Sequence, residues 1–159
     1  MTRIITFLLL LVTTQVVVAQ QETEKQAIKK SIGVFFQALY NGDSTMMKKA
    51  IHKDFSSQTT FSTPQGEKRL VSQTKKGLLD GVVKKKPEDT YEEKLLSYDI
   101  KIDGNLASVW TPYEFYVNGN FSHCGANSFQ LFNNNGNWEI IYIVDMRRRG
   151  SREAIKDKK

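Results

Sequence analysis

Three titratable residues in the second half of the chain, Glu114, His123 and Asp145, could carry acid–base chemistry. Desolvation raises the pKa of a carboxyl group, and a nearby carboxylate holds an imidazole in one tautomer, so together they could transfer protons. The same residues also suit a structural role, in which Glu114 pairs with His123 while Asp145 bonds to Arg147 or to a backbone N–H. Both interpretations require the three side chains to meet on one wall of a folded domain.

The elements that must bring them together are β-strands, because strong turn signals interrupt residues 95–149. These signals are Asp103-Gly104-Asn105, Asn118-Gly119 and the segment 133–137. Asn and Gly enter the φ > 0 conformations that tight hairpins need, so the strands are expected to be antiparallel neighbours. A two-residue turn at Asn118-Gly119 places Glu114 opposite His123. It also places Trp110 opposite Asn127.

The last and first hairpins each carry a one-residue ambiguity. A five-residue loop over 133–137 places Asp145 opposite Gly125 on the inner face, whereas a four-residue loop reverses the faces. We prefer the longer loop. The first hairpin needs a three-residue loop over 103–105 if the helix side carries Tyr98, Ile100 and Ile102.

With this register, one face of the sheet is larger and more aromatic, and we expect it to lie under the helices. It carries Leu106, Trp110, Glu114, Tyr116, Phe121, His123, Asn127, Phe129 and Leu131. Aromatic side chains on this face would shape a pocket: Trp110, Tyr116, Phe121 and Phe129. Polar side chains would orient a ligand there: Glu114, His123, Asn127 and Asp145. His52 is placed either at the mouth of this pocket or in an exposed loop.

The N-terminal half is predicted to be mainly helical. Apolar residues recur with helical period over 25–41, Gly42 ends that helix, and Asp43 or Ser44 caps a short second helix. Residues 56–63 suit a strand, and a third helix is expected over 67–80. Helices followed by an antiparallel meander indicate an α+β domain with its helices on one face of the sheet.

The two ends of the chain are assigned to processing and to a tail. Residues 1–19 combine Arg3, an apolar run and small residues before a cut after Ala19, which is typical of a secretory signal peptide. We therefore expect an exported protein, periplasmic or extracellular, whose domain covers 20–149. Residues 150–159 are expected to form a basic flexible tail.

Several classes of function are disfavoured by composition. The formal net charge is +6, but residues 20–146 carry equal numbers of acidic and basic side chains, so no nucleic-acid partner is expected. Cys124 is the only cysteine, so no intramolecular disulfide can form. With only His52 and His123 as imidazoles and no phosphate-binding loop, neither a metal nor another cofactor is expected. The apolar run in 1–19 is too short for stable membrane insertion.

An ordered set of motifs extends along residues 25–147. It comprises His52-Lys53-Asp54-Phe55, Ala107-Ser108-Val109-Trp110, Tyr113-Glu114-Phe115, Gly119-x-x-x-His123-Cys124-Gly125, and Asn137-Trp138-x-Ile140 before Asp145. Together with three helices before the strands, this set resembles the nuclear transport factor 2-like superfamily. The greatest similarity is to its exported bacterial group labelled "putative lumazine-binding".

The resemblance implies a cystatin-like, cone-shaped half-barrel, in which three N-terminal helices pack on the concave face of a strongly curved antiparallel sheet. It also implies a pocket at the wide end, a small-molecule ligand and a homodimer formed through the outer sheet face. Related isomerases, dehydratases and cyclases use pocket Asp, His and Tyr residues without a cofactor, which would make His123, Asp145 and Glu114 catalytic. Other members only bind a ligand or a protein partner, so three functions stay open.

Overall fold

The computed structural model describes the backbone of residues 2–149 and the side chains from residue 20 onward. The described residues form three helices and seven strands. The helices are α1 (Thr2–Asn41), α2 (Ser44–Ala50) and α3 (Lys75–Val83). The strands are β1 (Ile51–Ser62), β2 (Lys68–Thr74), β3 (Tyr91–Leu95), β4 (Asp99–Asp103), β5 (Leu106–Val117), β6 (Asn120–Asn134) and β7 (Asn137–Arg148). The predicted tail, 150–159, lies outside the described residues.

The first two helices follow the predicted local signals. Gly42 ends α1. Its φ of +66° lies in the left-handed region, which residues with a side chain rarely adopt. The side chain of Asp43 then caps α2 by accepting hydrogen bonds from the backbone N–H groups of Thr45 and Met46. The sequence therefore fixes both the break and the restart of the helical segment.

The predicted third helix over 67–80 is wrong in its first half. Lys68–Thr74 pairs with β1 as an antiparallel strand, and the helix begins only at Lys75, where the Thr74 hydroxyl accepts from the Gly77 N–H at 3.2 Å. Leu70 and Val71 are 59% and 52% exposed on this strand, so they do not form the apolar side of a packed helix. Pairing with β1 satisfies the backbone of this segment, and it outweighs a weak helical pattern.

The strands form one open, mixed sheet in the order β2-β1-β7-β6-β5-β3, with β4 also paired to β5. The α+β class is confirmed, but the expected purely antiparallel sheet is wrong because β1 runs parallel to β7. The third helix also follows two strands, so the helices do not all precede the sheet. The pairing of β1 with β7 brings the first and the last strand of the chain together.

A β-bulge in the central hairpin changes the predicted register. Val117 pairs with Asn120 and Tyr116 with Phe121, as expected, but the next partner of β6 is His123, which pairs with Phe115. Ser122 is therefore an extra residue, and it shifts every later pair by one position. The prediction for β5 is therefore wrong beyond the bulge. Leu106, Trp110 and Glu114 were predicted to lie under the helices, but they lie on the opposite face of the sheet.

The inner face, defined as the face that packs against α1, carries the alternate residues of β5. Ala107 and Val109 are fully buried, whereas Leu106 and Trp110 are 47% and 51% exposed on the outer face. On β6 the predicted choice is confirmed, because Phe129 is buried between Phe35 and Phe36 of α1, with ring centroids 6.2 and 6.1 Å apart. The core is built from these helix and sheet residues.

The loops of the other two hairpins are shorter than predicted. Asp103 pairs with Leu106, so the first loop has two residues, and Ile100 and Ile102 still pack against the core because their partners are Val109 and Ala107. In the last hairpin Asn134 pairs with Asn137, which leaves a two-residue turn at 135–136 in place of the predicted five-residue loop.

The assignment of the β5 faces can be tested by placing a carboxylate on each side of the strand. We expect Val109→Asp to lower the free energy of unfolding by more than about 3 kcal/mol, because it buries an unpaired charge. Trp110→Asp should cost less than about 1 kcal/mol, because position 110 is half exposed. Urea denaturation of the two variants measures both values, and equal losses would contradict the assignment.

Candidate functional site

A cavity of about 240 Å³ lies between α1, α3 and the inner face of the sheet. Aromatic and aliphatic side chains form most of its wall: Phe35, Phe36, Leu39, Phe55, Leu78, Val82, Phe129 and Ile143. Eight polar residues complete the lining: Glu93, Asn127, Asp145 and Arg147 interact with one another at one end, and the others are Ser57, Gln58, Thr59 and Gln73. An apolar chamber with a few convergent polar groups is the usual form of a small-molecule site.

Asp145 is the residue on which the polar end converges. It is 9% exposed, and its Oδ1 accepts a 2.7 Å hydrogen bond from the Tyr113 hydroxyl. Its Oδ2 accepts from the Arg147 Nε and, at 3.5 Å, from the Thr59 hydroxyl. Burial, and then the Asp145 carboxylate, raise the pKa of Tyr113, so this phenol keeps the proton that it donates. Both carboxylate oxygens of Asp145 are thus occupied by donors from β1, β5 and β7.

Gly125 makes the contact between Tyr113 and Asp145 possible. It pairs with Tyr113 on one side and with Arg147 on the other. A Cβ at position 125 would lie 1.8 Å from the Met146 carbonyl oxygen and 2.9 Å from the Tyr113 ring and hydroxyl. The absence of a side chain therefore lets the phenol cross β6 to reach β7.

Replacing Gly125 should consequently disrupt the site. We expect Gly125→Ala to destabilise the protein by about 3 kcal/mol, because the backbone carbonyl of Met146 cannot move aside cheaply. The matched control is Gly33→Ala in α1, where a Cβ meets nothing within 4 Å and helix propensity should add about 1 kcal/mol of stability. Thermal denaturation distinguishes the two, and a tolerated Gly125→Ala would show that the predicted clash is absent.

Glu93 is a cavity residue that the sequence reasoning missed. It lies on β3, where its Oε1 accepts a 2.6 Å hydrogen bond from the Asn127 side-chain amide. Its backbone is fixed by Tyr40, whose hydroxyl oxygen accepts from the Glu93 N–H at 2.6 Å. The available signal was the alternation of Tyr91, Glu93 and Leu95 in a short segment before β4, which marks one face of a strand.

The environment of Glu93 favours its neutral form. Burial raises the pKa of this carboxyl group to about 8, and the Asp145 carboxylate adds to the rise. The Asn127 hydrogen bond and the Arg147 guanidinium act in the opposite direction. At pH 7 most molecules therefore carry a protonated carboxylic acid at the polar end of the cavity, which can donate a hydrogen bond or give up a proton.

The raised pKa of Glu93 makes stability depend on pH. The unfolded carboxyl releases its proton near pH 4.5 but the folded one only near pH 8, so the free energy of unfolding should fall as pH rises through this interval. Glu93→Gln cannot ionise, and we expect it to exceed the wild type by about 2 kcal/mol or more at pH 9 while matching it at pH 4. Urea denaturation at both values measures the gap.

The control for this effect is Glu92→Gln, because Glu92 is the exposed neighbour on β3. This variant should follow the wild type at both pH values. A gap that is the same for Glu92→Gln and Glu93→Gln would contradict the assigned burial of Glu93.

His123 lies on the inner face but outside the cavity lining. Its ring packs against Tyr113 and Phe115, with centroids 5.7 and 4.9 Å away, and its Nδ1 is 3.1 Å from the Ser122 hydroxyl. Burial and then the Arg147 guanidinium lower the pKa of His123, against the opposing effect of Asp145. The imidazole is thus held mainly neutral behind Tyr113.

Glu114 does not join His123, so the expected pairing is wrong. It pairs with Cys124 and turns to the outer face, where its Oε2 accepts a 2.5 Å hydrogen bond from the Tyr116 hydroxyl. The physical reason is the bulge at Ser122, which moves Phe115 opposite His123. The candidate catalytic residues Glu114, His123 and Asp145 therefore do not share one wall.

Of the other predicted ligand-binding residues, only Asn127 and Phe129 line the cavity, as Asp145 does. Trp110 is on the outer face, and Tyr116 stacks edge-on against Phe121, 5.9 Å away. His52 lies at the start of β1, where its Nδ1 accepts from the Asp54 N–H at 3.2 Å and its ring meets Phe132. The structure does not place any of Trp110, Tyr116, Phe121 and His52 in the cavity wall.

Within residues 20–149 no group of three His, Cys, Asp or Glu side chains is arranged to hold a metal ion. The same part of the chain contains no helix that is long and apolar enough to cross a membrane.

Comparison with known protein families gives a match over most of the chain. Residues 23–144 match the family model described as "Putative lumazine-binding". No curated protein matches the chain significantly.

Several solved structures share the fold at low sequence identity. An NTF2-like protein of unknown function from Shewanella baltica is 17% identical, with a TM-score of 0.58 over 80% of this chain and 96% of that one. A protein of unknown function from Mycobacterium tuberculosis is 12% identical, with a TM-score of 0.67 over 84% and 76%. A protein with a cystatin-like fold from Nostoc punctiforme is 15% identical, with a TM-score of 0.60 over 78% and 90%. These similarities establish the fold, and the site geometry must carry the function.

Proposed function

Since the chain belongs to the family described as "Putative lumazine-binding", we propose that its cavity binds a small, partly apolar molecule. The observation that carries this proposal is the combination of an apolar wall and a polar end in one chamber of about 240 Å³. At roughly 30 Å³ per water molecule, this space corresponds to about eight waters, which suits a molecule of one or two rings. Lumazine, which the family description names, is one candidate.

The residues assigned to binding follow from the cavity lining. Phe35, Phe36 and Phe129 would contact the apolar part of the ligand, and their edge-to-face arrangement keeps the wall rigid. Glu93 and Asn127 would orient its polar part. Asp145 acts as a positioning residue, because Tyr113, Arg147 and Thr59 already occupy its oxygens.

Proton transfer at Glu93 is the second candidate function. Its pKa of about 8 is close to the value at which a general acid or base works best near neutral pH. A cofactor-independent isomerase, dehydratase or cyclase would use this carboxyl in contact with the substrate. Such activity should depend on pH with an inflection near 8, and Glu93→Gln should abolish turnover but retain binding.

The site of action is proposed to be outside the cytoplasm. Residues 1–19 have the pattern of a secretory signal peptide, and cleavage after Ala19 would leave Gln20 as the first residue. N-terminal sequencing of the protein recovered from its native host would reveal this cut, and a chain that still begins at Met1 would contradict export.

A homodimer formed through the outer sheet face is also proposed. Trp110 and Leu106 expose large apolar side chains on that face of β5, a feature typical of contact surfaces. The Trp110→Asp variant, which should remain folded, would sediment as a monomer, and an unchanged sedimentation coefficient would contradict this interface.

Binding in the cavity can be tested by methyl NMR with a library of neutral and charged ring compounds that includes lumazine. Because Ile143 lines the cavity, we expect its methyl resonances to shift with neutral, partly apolar members of the library. Leu78→Trp should fill the chamber and weaken the binding of these compounds about 5- to 100-fold, since the lost contact area corresponds to about 1–3 kcal/mol.

The matched control is Leu79→Trp, because Leu79 is the neighbour of Leu78 on α3 and does not line the cavity. Its affinities should equal those of the wild type. If no compound shifts Ile143, or if the same compounds still bind to Leu78→Trp, the proposal fails.

A further inference from the structure

A second concavity lies on the inner face beside the cavity, along the β1–β2 hairpin, and has a volume of about 1010 Å³. We call it the hairpin groove, and its apolar wall on this face consists of Phe61, Pro64 and Val71. Three residues line both the groove and the cavity: Thr59, Gln73 and Arg147. The two spaces therefore adjoin.

The strand register places the hairpin groove on the same side of the sheet as the cavity. Thr59 on β1 is the direct partner of Asp145 on β7 and of Val71 on β2. Two residues farther along β1, Phe61 is the partner of Arg147. Paired residues point to the same side of a sheet, and so do residues i and i+2 of one strand. Val71 and Phe61 therefore continue the wall that carries Asp145.

The helices cover the cavity but leave the hairpin groove open. Helix residues in the cavity lining include Phe35, Phe36, Leu39, Leu78 and Val82. Within the part of the chain that the structure describes, no residue of α1, α2 or α3 lines the groove. A molecule that is too long for the cavity can therefore pass Thr59 and continue along an uncovered strand surface.

This uncovered surface exposes apolar side chains. Val71 is 52% exposed, Phe61 is half-buried, and Pro64 is exposed at the end of the hairpin. Leaving such side chains in water is unfavourable, and an apolar ligand chain would cover them. The strand extends about 10 Å from Thr59 to its end at Ser62, so a chain of about this length can be accommodated.

A small molecule suits this surface better than a peptide strand. β2 is an edge strand, which could in principle pair with an extended peptide. Cationic side chains lie at or next to both ends of β2, however: Lys68, Arg69, Lys75 and Lys76. Charged side chains of this kind normally protect an edge strand from pairing.

We propose that the cavity and the hairpin groove hold one elongated ligand, with a ring in the cavity and an apolar chain that passes Thr59 and lies on Val71 and Phe61. This inference rests on the proposed binding function of the cavity, and it names the class of ligand, a neutral ring compound that carries an apolar chain. The polar end of the cavity orients the ring, and the chain adds affinity through the groove.

The test uses the full chain with ¹³C-labelled Ile and Val methyl groups and two neutral ketones, acetophenone and octanophenone, which differ only in chain length. Ile143 reports on the cavity and Val71 on the groove, while the fully buried Ile140, which lines neither, is the reference. We expect both ketones to shift Ile143 and only octanophenone to shift Val71. Octanophenone should bind at least about tenfold more tightly, because its chain buries more apolar surface.

Two variants of β2 separate binding in the groove from nonspecific association of the chain. Val71→Asp places a charge on the inner face, and it should weaken octanophenone about tenfold or more while leaving acetophenone unchanged. The matched control, Leu70→Asp, adds the same charge to the other face of the same strand and should leave both affinities unchanged. Both positions are exposed, so both variants should remain folded.

Leu78→Trp tests whether a single molecule occupies both spaces. Because this substitution fills the cavity, it should remove the octanophenone shifts of both Ile143 and Val71. A Val71 shift that survives in Leu78→Trp, or that occurs in the wild type without an Ile143 shift, would overturn the single elongated ligand.

Other results would overturn the inference but leave the cavity as a binding site. They are equal affinities of the two ketones, an Ile143 shift by octanophenone without a Val71 shift, and equal losses in Val71→Asp and Leu70→Asp. If neither ketone shifts Ile143, the inference is overturned as well, and the library of ring compounds then decides whether binding in the cavity fails with it.

Discussion

The carboxylate of Asp145 lies on the inner face of β7, where it accepts hydrogen bonds from Tyr113 on β5, Arg147 on β7 and Thr59 on β1. Thr59 meets Asp145 because β1 pairs in parallel with β7, and Tyr113 reaches the carboxylate across β6 at Gly125. A buried carboxylate requires such donors, since an unpaired charge in this position would be costly. The polar end of the cavity is therefore a consequence of sheet order and of the missing side chain at Gly125.

Glu93 differs from Asp145 because it has few partners. One hydrogen bond from Asn127 reaches its carboxyl group within the described residues, and the nearby Asp145 charge opposes its ionisation. Two carboxyl groups on one wall thus have different roles: Asp145 accepts hydrogen bonds from three donors, and Glu93 can gain or lose a proton near neutral pH.

Local signals predicted the elements that depend on near neighbours. The Gly42 break, the Asp43 cap and the Asn118-Gly119 turn follow from backbone conformations that few residue types adopt. The bulge at Ser122 has no such local signal. Because it shifts the register by one residue, Glu114 lies on the outer face and Trp110 is exposed to solvent. β2 and the inward direction of Glu93 depend on pairing with distant strands, so periodicity alone could not reveal them. Asn127, Phe129 and Asp145 were placed on the correct face because a bulge at Ile141 offsets the reversal that the two-residue loop of the last hairpin would cause.

The central claim, that the cavity holds a neutral carboxylic acid beside a fixed carboxylate, is tested most directly by ¹³C NMR titration of the Glu93 side-chain carboxyl carbon. The resonance can be assigned by its absence from Glu93→Gln. The account predicts a midpoint at about pH 8. A midpoint near the ordinary value of about 4.5 would show that Glu93 is solvated. The claim that the cavity contains a neutral carboxylic acid at pH 7 would then be wrong.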